Sequence, residues 1–225
     1  MGDAVGQMLA SAVGIAISPL PLIAVVLMLA TPRGKVNGMA FTLGWMVTLG
    51  VITTVVVLAG SGAGADDGGA PARWTYWLKL ALGVLFLLMG AKQWKDRPHT
   101  GQEHALPAWM RAIDRITPGR AAGLAALLSG ANPKNLVLTI GGAASIASSP
   151  AGVGGKVVAG VLFVVVGSVC VLLPLLVYVF GGSRSAAVLG GWKAWMGEHN
   201  SAIMTVVLVL LGAKYVGDAI SGLTS

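Results

Sequence analysis

Between short polar breaks, the chain runs through six long apolar stretches, at roughly 5–31, 36–60, 74–95, 120–148, 155–181 and 199–217. Each is long enough to cross the roughly 30 Å hydrocarbon core of a bilayer as a helix rising about 1.5 Å per residue. Backbone polar groups in lipid must find partners within the chain, so stretches of this length predict helices. Little sequence is left for a soluble domain, since 56% of the residues are hydrophobic and only 10% are charged. The expectation is an all-α integral membrane protein with six transmembrane helices. The N-terminus lacks the basic leader of a signal peptide, and its apolar stretch runs past any cleavage pattern, so it reads as the first span. The 33 glycines suit such a bundle, because small residues let helices approach closely where lipid gives no hydrophobic drive between them.

The net charge of +7 sits in short loops between spans and forms no basic face of the kind nucleic acid needs. With the N-terminus outside, the inner loops carry Arg33, Lys35, Lys92, Lys95, Arg97, Arg111, Arg115, Arg120, Arg184 and Lys193. The outer loops then hold Arg73, Lys79, Lys156 and Lys214. This bias of ten against four predicts a multi-pass inner-membrane protein with both termini outside. Residues 96–119 become a cytoplasmic linker, in which Leu106, Trp109, Met110 and Ile113 recur at helical spacing opposite Arg111, Asp114 and Arg115. That pattern fits a short amphipathic helix lying on the membrane surface. Trp74, Trp77, Trp192 and Trp195, just ahead of the third and sixth spans, read as interfacial anchors.

Internal repetition organises the spans. The third ends in "LLMGAKQWKD", Leu87 to Asp96, and the sixth in "VLLGAKYVGD", Val209 to Asp218, both carrying G-A-K-x-x-x-D. The first contains "AISPLPLIAVV" and the fourth "GANPKNLVLTI", so Ser18-Pro19 and Asn132-Pro133 hold matching places. Two copies of a three-span unit follow, over 1–95 and 120–225. An odd number of spans per copy inverts the second copy in the membrane, as in many secondary transporters.

The prolines fall near the midpoints of the two longest apolar stretches, where a break leaves two half-helices. Proline suits the first position of a helix, and Ser or Asn before it makes an N-cap. Each helix start presents free backbone N–H groups and a positive dipole end, an anion site in waiting. Lys134 adds a full charge beside one of them. Ser18-Pro19 and Asn132-Pro133, with Lys134, are therefore candidates for substrate binding. The bland alternative is that the prolines only kink packed helices and the polar side chains bond stray carbonyls.

All eight acidic residues lie in loops or at span ends, so the midplane offers no carboxylate for a cation or a proton relay. The spans hold no nucleophile with a base and no paired carboxylates, which points away from an enzyme. Lys92 and Lys214 can snorkel outward or pair at i,i+4 with Asp96 and Asp218. Their recurrence in both copies makes these four residues candidates for gating or headgroup steering. Three scattered histidines give no metal site, and no cofactor is expected. Cys170 is the single cysteine, which rules out a disulfide framework within the chain.

The segment "GIAISPLPLIAVVLMLATPRGKVNGMAFTLGW", Gly14 to Trp45, together with "GANPKNLVL", resembles the actinobacterial glycopeptidolipid-addressing and sulfolipid-addressing protein family, a branch of the LysE-like transporter superfamily. The resemblance implies movement of envelope glycolipids to the outer surface, with export of amino acids and small ions elsewhere in the superfamily. It also implies that Ser18, Pro19 and Pro21 with Asn132, Pro133, Lys134 and Asn135 are the core motif positions for substrate binding. The function expected from residues and resemblance together is a transporter or flippase for an anionic or phosphate-bearing envelope lipid or lipid-linked precursor. Alternatives are an exporter of a small anionic metabolite or amino acid, and a non-transporting scaffold for lipid-assembly enzymes. Gly181-Gly182 and Gly190-Gly191 offer small-residue surfaces compatible with a homodimer. Lipid-synthesis or export machinery would be the further partner.

Overall fold

A computed structural model of the chain describes residues 2–63, 73–95, 113 and 116–224. Among the described residues it is all-helical, with no strand. The helices are α1 (Gly2–Ala16), α2 (Pro19–Leu29), α3 (Gly34–Ala63), α4 (Arg73–Lys95), α5 (Pro118–Ala126), α6 (Pro133–Ala147), α7 (Val153–Gly167), α8 (Val169–Phe180) and α9 (Ser185–Thr224). A π-helical turn, Leu127–Ala131, joins α5 to the break before α6. The amphipathic helix expected within 96–119 falls almost wholly outside the described residues; α5 begins at Pro118.

Gly34–Gly60 and Gly182–Thr224 are each long and apolar enough to cross a membrane alone. Met8–Ala16 with Pro19–Leu29, bent by 45°, and Val153–Gly167 with Val169–Phe180, bent by 64°, qualify as broken spans. Length and composition thus support two to four spans. The first bend is the expected one at Ser18-Pro19. The second departs from the sequence reading, which carried the fifth stretch unbroken from 155 to 181. Its cause is local: Gly167-Ser168 is a Gly/Ser pair of the kind that kinks helices, and Pro174, one turn into α8, removes a further N–H donor.

The chain divides into two compact units. The first, Met1–Ala65 with Ala105–Gly197, holds α1 to α3, α5 to α8 and the start of α9. In it α3 packs along α5 and α6, α1 lies against α6 and α7, and α2 against α8. Trp45, Phe41, Phe86 and Phe163 are among the largest side chains fully buried in the molecule, and all but Phe86 belong to this unit. Glycine sets the closest approaches: a Cβ on Gly44 would stand 2.7 Å from the Ala122 carbonyl oxygen, and one on Gly142 would collide with the Phe163 ring.

The second unit, Asp66–His104 with Glu198–Ser225, brings α4 against the end of α9. A Cβ on Gly83 would lie 2.8 Å from the backbone nitrogen of Val216, and one on Gly212 would lie 2.9 Å from the Gly83 carbonyl oxygen. Phe86 and Tyr215 meet edge to face at 5.9 Å, and Gln93 donates to Ser201 at 3.3 Å. α4 and the end of α9, the two helices that carry the G-A-K segments, therefore pair within this unit.

Candidate functional site

The two proline breaks of the first unit meet at one polar cluster. Asn132 is in extended conformation, and its Oδ1 accepts from the Lys134 backbone N–H at 3.0 Å, capping α6. Pro133 follows at the first helical position, where it forfeits no intrahelical bond. Capping turns the Lys134 side chain inward, where it is 2% exposed. Its ammonium donates to the Gly14 carbonyl at 3.0 Å, the Ile17 carbonyl at 3.2 Å and Ser18 Oγ at 2.8 Å. An ammonium has three N–H donors, so this set is complete. Two of the acceptors are end carbonyls of α1, the negative pole of that helix, where a cation belongs.

Ser18 is also extended and precedes Pro19 at the start of α2, but its hydroxyl makes no cap. It accepts from Lys134 and donates to Asn135 Oδ1 at 3.2 Å. Asn135 is wholly buried, and its Nδ2 donates to the Leu128 carbonyl at 2.9 Å inside the π-helical turn. Ser129 in that turn donates to Ala125 O at 2.8 Å, and Thr139 to Asn135 O at 2.7 Å. A π-turn widens the helix and leaves carbonyls off the regular ladder, and the Asn135 amide takes one of them. Pro19 and Pro21 are buried in the first turn of α2, while Pro133 is exposed.

Among the described residues no carboxylate is buried, so the cluster holds an ammonium with no acidic partner. Burying a charge costs several kcal/mol unless something compensates it. Here the compensation is three oxygen acceptors and one helix end. Sequence reasoning named Ser18, Asn132, Lys134 and Asn135 but missed Ser129 and Thr139, and it missed the Gly14 and Ile17 carbonyls, acceptors that the proline break frees. It also missed Trp45, whose buried indole N–H donates to Gly167 O at 3.4 Å, beside the third break.

Lys92, Lys214 and Asp218 belong to the second unit. Lys214 and Asp218 form an i,i+4 ion pair at 2.6 Å, with both side chains nearly half exposed. Lys92 is exposed near the end of α4, and Asp96 lies outside the described residues. Gly181, Gly182, Gly190 and Gly191 are exposed.

A family model described as Sap, sulfolipid-1-addressing protein (SfLAP), matches residues 8–221. The chain belongs to the sulfolipid-1-addressing protein family. The match takes in both proline breaks, the lysine cluster and both G-A-K-x-x-x-D segments, and membership points to a role in lipid transport or addressing. No curated protein and no solved structure matches the chain.

Proposed function

We propose that this member of the sulfolipid-1-addressing family is an inner-membrane transporter of flippase type, moving an anionic or phosphate-bearing envelope lipid or its lipid-linked precursor. In this reading six spans form two inverted three-helix repeats of LysE-like design, with both termini outside. The chain contributes binding and translocation and no covalent chemistry. The observation that carries the reading is the Lys134 ammonium, buried between two helix breaks with no carboxylate bonded to it among the described residues. A positive centre of this kind favours an anion, and broken helices at membrane depth are tolerated where they serve a site. Export of a small anionic metabolite draws on the same charge. Membership in a lipid-addressing family favours the lipid.

One observation favours the scaffold alternative: all three Lys134 donors are taken by protein oxygens in this conformation. Translocation of a headgroup-labelled anionic lipid in proteoliposomes separates the two. The transporter reading expects wild-type translocation and a fall of at least about tenfold in Lys134→Met, the loss of about 1.4 kcal/mol of interaction in the moving complex. Wild-type protein without translocation supports the scaffold. Orientation is tested separately, by impermeant thiol labelling of Asp67→Cys and Gln102→Cys in cells. Labelling from outside at 67 and none at 102 is expected, and the reverse pattern would overturn both the topology and the inversion.

A further inference from the structure

The first unit carries a second feature that the lysine cluster does not use. Between α3 and α7 runs an open groove of about 460 Å³, within the range of ligand pockets of a few hundred to a thousand Å³. It extends along α7 from Val153 to Val165. Twelve residues of helix make it about 18 Å long. Its walls are valine, leucine and methionine, and no carboxylate lines it.

Its depth comes from Gly50 on α3 and Gly160 on α7. A Cβ on Gly50 would meet nothing within 4 Å, and one on Gly160 would meet only the Thr53 methyl at 3.9 Å. These glycines differ from Gly44 and Gly142, whose missing side chains admit a neighbouring helix. Glycine within a helix costs about 1 kcal/mol relative to alanine, so here that cost maintains an empty channel and no helix contact. Thr53 lines the groove and is 3% exposed, and among the described residues its hydroxyl has no hydrogen-bond partner. Thr48 and Thr139 in this unit bond the carbonyl four residues back, while Thr42, away from the groove on the same helix as Thr53, is as buried as Thr53 and likewise has no partner among the described residues.

One end of the groove is electropositive. Lys156 lies there in the first turn of α7, and its ammonium donates to Ala147 O at 2.6 Å. The α7 dipole adds positive potential at the same end. An apolar channel of this length, closed at one end by a cation, complements a single extended hydrocarbon chain that carries an anionic group.

We propose that the groove between α3 and α7 seats one acyl chain of an anionic lipid, with the charged headgroup at the Lys156 end. This deepens the lipid-handling reading by naming the part of the lipid that the surface takes. The test uses full-length protein in nanodiscs containing a phosphatidylglycerol with a photoactivatable palmitoyl chain, or the matched phosphatidylcholine. Peptide mapping should place the crosslinks on Thr54, Val57 and Val161, in excess for phosphatidylglycerol.

Gly50→Leu and Gly160→Leu fill the channel and should each lower crosslinking there by roughly tenfold, about two chain methylenes' worth of lost burial. Gly50→Ala leaves most of the space and should stay near wild type, which separates filling from misfolding. Lys156→Gln leaves the walls intact and should abolish the preference for phosphatidylglycerol while phosphatidylcholine still labels. Crosslinks spread evenly over the outer faces of α3 and α7, or undiminished in the leucine variants, overturn the groove. An unchanged lipid preference in Lys156→Gln overturns the headgroup assignment. Groove labelling with no lipid translocation would instead count against the transport reading and leave the acyl-chain site standing.

Discussion

The breaks at Ser18-Pro19 and at Asn132-Pro133 begin from one sequence template and end in different chemistry. At the second break the polar residue caps its own helix, with Asn132 Oδ1 on the Lys134 N–H. At the first, Ser18 leaves α2 uncapped and spends its hydroxyl on Lys134 and Asn135, more than a hundred residues away. The second break supplies an ammonium and an amide; the first supplies the end carbonyls of α1 and a single hydroxyl. The two breaks are thus donor and acceptor for each other. Complementarity of this kind holds two half-helices together in lipid, where unpaired polar groups find no water.

That asymmetry ranks the effects of mutation. Lys134→Met strips all three bonds and leaves the Gly14 and Ile17 carbonyls unpaired, so it should cost on the order of 3 kcal/mol, read as the largest drop in thermal stability of detergent-solubilised protein. Lys134→Arg should recover part of this loss, because the charge survives while the wider planar head does not fit a fully buried pocket. If Lys134→Met is as stable as wild type, the two breaks are not holding each other.

Ser18→Ala removes one acceptor from the ammonium and the donor to Asn135. A loss of about 1–2 kcal/mol is expected, and it should not add to that of Lys134→Met, because the two residues share a bond. Additive losses in the double variant would show that Ser18 works alone. Asn132→Ala loses the cap of α6, worth about 1 kcal/mol, and should add less than fully to Ser18→Ala, because both residues bond Lys134. The smallest effect is expected for Trp45→Phe at the third break, where a long 3.4 Å bond to Gly167 O is lost from an otherwise retained aromatic core. A fall of under about 1 kcal/mol would fit, and a loss as large as that of Lys134→Met would place the main strut at Gly167-Ser168.

Helical class and the two proline breaks were legible in the sequence because both rest on local rules. Apolar length decides the first, and the missing proline N–H decides the second. The partners of Lys134 were not legible, since Gly14 and Ile17 carry no polar side chain and act through carbonyls that only the bend exposes. Ser18 was assigned to capping for a sound local reason, and a distant lysine outcompetes that role. The break at Ser168 had a signal in Gly167-Ser168 and Pro174, but an unbroken apolar stretch masked it. The pairing of α4 with α9 through Gly83 and Gly212 depends on contacts far apart in the chain, and composition does not encode these.

α9 is a single helix of 40 residues, about 60 Å long at 1.5 Å per residue. A hydrocarbon core of about 30 Å accommodates half of that, and leaning the whole rod into the core would need a tilt of about 60°, beyond the 0–40° range of spanning helices. One half must therefore stand clear of the oily interior. Glu198, His199, Asn200 and Ser201, which follow Trp192 and Trp195, form a polar run in mid-helix. A lipid–water boundary at this run would be crossed inside a continuous helix, with no loop at the crossing.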